Sequence, residues 1–273
     1  MKRRYSFLVL AALWLLSCEK APLTPAAVEE TADVLASFSL PKIAVSEAGL
    51  NTAVFVVMNA SRDTLLNDTL EVVQSGYIRA KLKVTAGQNR LFHVSVLQGS
   101  RAVLAGSDSL DLKSGAQVEL KMKLNFLIPA LTLSPIDTTV AKNSTFTVYI
   151  RAHHVDNLCT IGTLLTFNKD SLQVIDLGRE DDFLKENGGA VTQLLFSRDN
   201  ANGRVKLILG VFPAAKAVSG EGAIARVVFK ALQGPTAALH LSLDSAVDAD
   251  LGLYDQLANP MSAIALGSLI TIN

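Results

Sequence analysis

The stretch 164-LLTFNKDSLQVIDL-177 decides how the second half of this chain folds. Leu165 and Phe167 alternate with Leu164 and Thr166, the period-2 pattern of a strand with one buried face. Asn168-Lys169-Asp170-Ser171 breaks the apolar run, because short polar side chains satisfy their own backbone in a turn. Leu172, Val174, Ile175 and Leu177 restart it.

The same period recurs on both sides of this stretch. Pro129 and Pro135 bracket a predicted strand from Ala130 to Ser134. Asp137 to Val140 leads into Ser144 to Ile150, where Phe146, Val148 and Ile150 point inward. Gly203 to Leu209 places Val205, Leu207 and Leu209 on one side. Ser219-Gly220-Glu221-Gly222 reads as a turn before a strand from Ala223 to Lys230. Leu239, Leu241 and Leu243 alternate, and Gly267 to Ile272 reads as a closing strand.

Taken in order, these segments resemble cohesin domains from Leu131 to Asn273. The family's strand ends in an aromatic, followed by an Asp-Pro-like turn and Leu-x-Val; here these are Phe167, the Asn168 turn and Leu172-Gln173-Val174. The Gly-rich turn at 219–222, the connector Asp182-Phe183-Leu184 and the closing strand also match. Lys142-Asn143 stands where a glycine turn is usual, and Lys169 where proline is usual.

The resemblance implies a jelly-roll β-sandwich that binds or scaffolds other proteins. In cohesins one sheet face, around the strand before the Asp-Pro turn, contacts dockerin, a small helical partner. With Leu165 and Phe167 inward, Thr160, Gly162, Leu164 and Thr166 form the outward row. On the next candidate strand Arg204, Lys206 and Ile208 turn outward. These seven residues are the expected partner-binding face. Its first row lacks the polar side chains that cohesins commonly offer dockerin, so a different protein partner is expected. The alternative is that this face packs on the first domain or on a neighbour.

The N-terminus carries a different signal. Lys2, Arg3 and Arg4 precede an apolar run from Phe7 to Leu16, too short to span a bilayer. The run ends at Leu15-Leu16-Ser17-Cys18, which resembles a bacterial lipobox. That resemblance implies a signal peptide over 1–17 and lipid on Cys18, which would anchor the chain in the cell envelope, at the outer membrane or cell surface. Residues 18–37 read as the lipidated N-terminus and tether, with room for a short helix over 26–35. From 38 to 126, repeated alternation suggests an immunoglobulin-like β-sandwich. Val54 to Met58 reads as a central strand, and Gly87-Gln88-Asn89 as a turn. Phe126 to Pro129 is the expected junction, and 127–273 the cohesin-like sandwich. The fold class is therefore all-β, with two sandwich domains.

Composition removes several functions. The 25 basic and 25 acidic residues cancel, giving no electrostatic reason to expect nucleic acid. No Gly-x-Ser-x-Gly elbow or phosphate-binding glycine pattern occurs, and no cofactor or enzyme activity is expected. His153 and His154, near Asp156, are adjacent strand residues and so point to opposite faces, which argues against a shared metal. Asp244, Asp248 and Asp250 carry oxygen ligands at near-alternate positions, but without the glycine and terminal glutamate of an EF-hand they read as a solvated loop. Glu180-Asp181-Asp182 reads as the first turn of a helix. Cys159 has no partner if Cys18 carries lipid, and reads as an inert buried thiol. Polysaccharide binding is the alternative function. It would fall to Tyr77, Tyr149 and Tyr254, since removal of the signal peptide takes Trp14 with it.

Overall fold

The computed structural model describes residues 30–40, 42, 48–72 and 76–273. Cys18, the expected signal peptide and most of the expected tether lie outside the described residues. The first half supplies strands β1 (Thr31–Ser39), β2 (Leu50–Met58), β3 (Thr64–Glu71), β4 (Tyr77–Thr85), β5 (Gly87–Gln98), β6 (Arg101–Leu112), β7 (Gln117–Lys121) and β8 (Asn125–Phe126). They form two sheets, β4-β1-β7 and β3-β2-β5-β6-β8. Alternation sets the faces: Ile78, Ala80, Leu82 and Val84 are buried, while Tyr77, Arg79, Lys81 and Lys83 are exposed. Phe38, Phe55, Phe92, Val94 and Leu120 fill the space between the sheets.

Two local expectations are corrected here. Residues 31–37, read as tether with room for a helix, are strand. β1 sits between β4 and β7 and forms ladders with both, burying Val34, Ala36 and Phe38. Two backbone ladders and a filled core outweigh the helix propensity of an alanine-containing segment. Gly87 to Asn89 is a bulge at the start of β5, not a hairpin turn. Gly87 (φ 152°) and Asn89 (φ 50°) carry the chain from one sheet to the other. Arg90 fastens the crossing by donating to the carbonyls of Thr85 and Ala86.

The second half supplies β9 (Ala130–Ser134), β10 (Asp137–Val140), β11 (Thr145–Phe167), β12 (Leu172–Arg179), β13 (Ala190–Asp199), β14 (Arg204–Phe212), β15 (Val218–Ala231), β16 (Thr236–Ser242), β17 (Gly252–Asp255), β18 (Ile264–Leu266) and β19 (Ser268–Ile272). A 3-10 turn covers Ala214–Lys216. The class is all-β.

β11 organises this half. Straight, its 23 residues would run about 75 Å, longer than a domain of this size is wide. Register shifts between Ala152 and Leu158, with positive φ at His154 and Asn157, bend it. Its first part pairs with β9 and β15, and its last part with β14 on one side and β16 and β17 on the other. Val148, Ile150, Leu165 and Phe167 enter one core with Val205, Leu207, Leu209, Val227 and Phe229. Phe229 stacks on Phe146 and meets Phe167 edge-on, with ring centres 5.6 and 5.3 Å away.

The expected turn at Ser219–Gly222 lies inside β15. Gly220 (φ 111°) faces Val155, so β15 bulges where β11 bends. Glu180-Asp181-Asp182 starts no helix. Only isolated turns form there, and the Asp181 carboxylate holds Lys185 at 2.6 Å and Arg179 at 3.2 Å. Side chains close the gap between β12 and β13 where no ladder forms. Arg179 donates to the Val191 carbonyl and Arg198 to that of Ile175, each at 2.7 Å.

The two cores meet on β9 and β18, which run parallel. Leu131 and Leu133 of β9 enter the second core. Ala130, with Ile264 and Leu266 of β18 and Ile128, enters the first.

Candidate functional site

The expected outward face is built by register. Thr160, Gly162, Leu164 and Thr166 on β11 lie opposite Gly210, Ile208, Lys206 and Arg204 on β14. The alternate residues Ile161, Leu165, Val205, Leu207 and Leu209 are buried behind them. All seven residues named from the sequence thus share one sheet face. They do not share one exposure. Gly162 is buried, and a Cβ there would collide with the Asp250 carbonyl. The backbone of Asp250 and Leu251 covers this part of the face, so Gly162 offers no surface.

The acidic segment is what lies across it. Lys206 Nζ donates to Asp248 Oδ2 and Asp250 Oδ2, each at 2.7 Å. Asp244 orders the start of the loop by accepting from the Ala246 N–H at 2.8 Å. The segment is a largely exposed loop, as expected, but Lys206 ties it to the sheet as a strap, and Asp248 and Asp250 face an ammonium group. Its hydrogen bonds to Asp248, then to Asp250, hold the Lys206 pKa above its usual value; Lys206 in turn holds the Asp248 carboxyl below its own. Among the described residues, no three His, Cys, Asp or Glu side chains are grouped to hold a metal ion.

Sequence reading missed the neighbouring strand. β13 extends the face, placing Leu195 opposite Ile208, Ser197 opposite Lys206 and Asp199 opposite Arg204. A bulge between Gln193 and Leu195 adds Leu194 to the surface. Leu194 is 61% and Phe212 68% exposed, with the first half of the chain in place. The apolar strip is therefore not covered by the first core. Its signal was the run Leu194-Leu195-Phe196, which a strict period of two cannot assign without the bulge.

A second constellation lies near the junction. His153 Nδ1 is 3.1 Å from Glu221 Oε2, and its Nε2 is 2.9 Å from Thr132 Oγ1. Its ring lies 4.8 Å from that of Phe126. Carboxylate, imidazole and hydroxyl in series have the connectivity of a hydrolase triad. Thr132 is only 3% exposed and lines, with His153, Glu221 and Phe126, a hollow of about 300 Å³. The chain of bonds ties β9, β11 and β15 together at the junction. Burial lowers the His153 pKa, against the opposing pull of Glu221. His154, next along the strand, is exposed at φ 49° and does not join it.

The three tyrosines are dispersed. Tyr77 lies on β4, with the Arg79 guanidinium 4.9 Å from its ring centre. Tyr149 lies on the first part of β11, and Tyr254 on β17 donates to the Leu251 carbonyl. They form no common platform. The Cys159 thiol is half-buried and donates to the Val211 carbonyl at 3.4 Å. No described helix is long and apolar enough to cross a membrane.

No protein-family model matches this chain, and no curated protein matches it. Among solved structures, the chain is similar to a non-cellulosomal cohesin from the archaeon Archaeoglobus fulgidus. Identity is 15% and the TM-score 0.40, over 54% of this chain and 91% of that one. It is similar to a type II cohesin domain from the cellulosome of Acetivibrio cellulolyticus, with 15% identity and a TM-score of 0.42, over 52% of this chain and 94% of that one. A type I cohesin–dockerin complex from Clostridium thermocellum gives 10% identity and a TM-score of 0.43, over 54% and 99%.

Proposed function

We propose that this protein is a non-catalytic, protein-binding lipoprotein of the bacterial cell envelope. Lipid on Cys18 holds it to the membrane, and the outward face of β11, β14 and β13 takes a protein partner. The observation that carries the reading is the apolar strip of Leu194, Leu195, Ile208 and Phe212, most of it open to solvent on a rigid sheet. Exposed apolar groups gathered on one face mark interaction sites more than scattered ones do. The motif resemblance read from Leu131 onward points the same way. With Lys206 already neutralised by the strap, the strip calls for a partner presenting an apolar stripe, such as one face of an amphipathic helix. That chemistry does not single out dockerin. Of the three tyrosines, register places Tyr254 on this face, opposite Thr160, and one ring falls short of the stacked platform that sugars call for.

The test is in-cell photo-crosslinking from position 195, compared between wild type and Leu194→Asp/Phe212→Asp. Both substituted side chains are exposed, so the variant keeps its fold by circular dichroism. One protein crosslinked by wild type and lost in the variant, then bound by it in purified form, supports the reading. An unchanged crosslink pattern excludes this face. Binding on a glycan array without any protein crosslink would favour the polysaccharide alternative.

A further inference from the structure

The two outer sheet faces of the first half differ sharply in charge. On the five-stranded sheet, register turns Val54, Val56, His93, Ser95 and Ser107 outward, with Glu71 opposite Thr52 on the same face and no lysine or arginine among them. On the three-stranded sheet, β4 turns Arg79, Lys81 and Lys83 outward, and β7 adds Lys121. Among the described residues of these strands, Asp33 and Glu119 oppose them on that face, and Glu119 pairs with Lys121 at 3.8 Å. A trough of about 530 Å³ runs along it, with Leu35 on its floor and Lys81, Lys83, Gln117 and Glu119 on its walls. Among the described residues, Lys81 and Lys83 make no ion pair, whereas Lys206 and Lys185 do. Lysines without an ion pair on an exposed face are available to an anionic surface rather than spent on the fold.

The course of the chain says which surface. Thr31 begins β1, the middle strand of this sheet, and pairs with Thr85, beside Lys83. Residues 19–30 separate Cys18 from Thr31. Twelve residues reach at most about 40 Å when fully extended. The lipid anchor therefore holds this sheet within a short reach of the headgroups. We infer that the outer face of the β4-β1-β7 sheet lies on the anionic headgroup surface of the membrane that carries the anchor. This rests on the reading of Cys18 as lipidated. Each cation near such a surface strengthens the attraction about fivefold, an effect lost beyond roughly a Debye length. Four cations against two carboxylates bind weakly alone. A tether raises the local concentration to about the millimolar range, where weak binding suffices to orient the domain.

The experiment uses the full, membrane-processed chain in vesicles of phosphatidylcholine, with or without phosphatidylglycerol. Amine labelling of each lysine is read by mass spectrometry, and labelled palmitate reports the anchor separately. Lys81, Lys83 and Lys121 should label roughly tenfold more slowly with phosphatidylglycerol present, while exposed Lys169 is unchanged. High salt should erase the difference. In Lys81→Gln/Lys83→Gln, Lys121 should lose its protection. Equal labelling on both vesicles, with palmitate incorporated, overturns the inference and leaves the anchor intact. If no palmitate is incorporated, the anchor reading fails. The unlipidated chain then decides alone: protection by phosphatidylglycerol keeps the docking face, and its absence removes it.

Discussion

Phe167 ends the longest strand of the molecule and is 7% exposed, with its ring edge-on to Phe229. Removing it leaves a void that Phe229 and Leu172 cannot fill by small shifts. Phe167→Ala should cost about 3–5 kcal/mol, read as a lower urea midpoint with an unchanged slope. His153 gives a pH dependence with a definite sign. Burial disfavours its charged form, so its folded pKa lies below the unfolded value near 6.5. Neutral His153 contributes its full share of stability above that value. The share is lost as pH falls from there through the folded pKa, because the unfolded chain binds the proton more readily. Glu221 opposes this loss and Arg151 adds to it. The urea midpoint should fall between pH 7.5 and pH 5. In His153→Phe, which keeps a ring against Phe126, this fall should be smaller. An equal fall would assign it to other groups.

At the level of elements, alternation alone places many strands correctly. β4, β5 and β14 bury the residues that a period of two selects. Pairing is far less legible. β1 runs parallel to β7 and β10 parallel to β19, across 84 and 132 positions, as in Asp33 with Gln117 and Asp137 with Leu269. No local pattern encodes such partners. The strap shows the same limit, since Lys206 and Asp248 stand 42 positions apart and look like separate surface charges until the fold joins them. Bulges defeat the period itself at Leu194 and at His153 to Asn157. The β9 and β18 pair also changes what a fragment should do. A chain starting at Leu127 keeps the second core and should give a β-type circular dichroism spectrum. It exposes Ile128, Ile264 and Leu266, each worth up to about 1.5–3 kcal/mol when fully covered. Its urea midpoint should lie below that of the same half in the full chain, and it should bind more of a hydrophobic dye.

For the whole molecule, the candidate face was partly legible because the seven residues named from alternation share one register. The strap over Gly162 and the β13 strip were not, since each depends on a neighbour supplied by the fold. The anchor is read from sequence only. Labelled palmitate should enter wild type and not Cys18→Ser, and equal labelling of both would remove the membrane-anchor reading.

The shared ladder of β9 and β18 also sets an order of events in time. The first core includes Ile264 and Leu266, which lie 138 and 140 positions after Phe126, the last residue of β8. Synthesis runs from the N-terminus at about 5–20 residues per second. The strands β1 to β8 are therefore complete for many seconds before the two residues that finish their core exist. Through that interval the nascent first sandwich presents an open apolar seam. A chaperone that holds it, or a chain kept unfolded until synthesis ends, would serve this protein better than folding piece by piece.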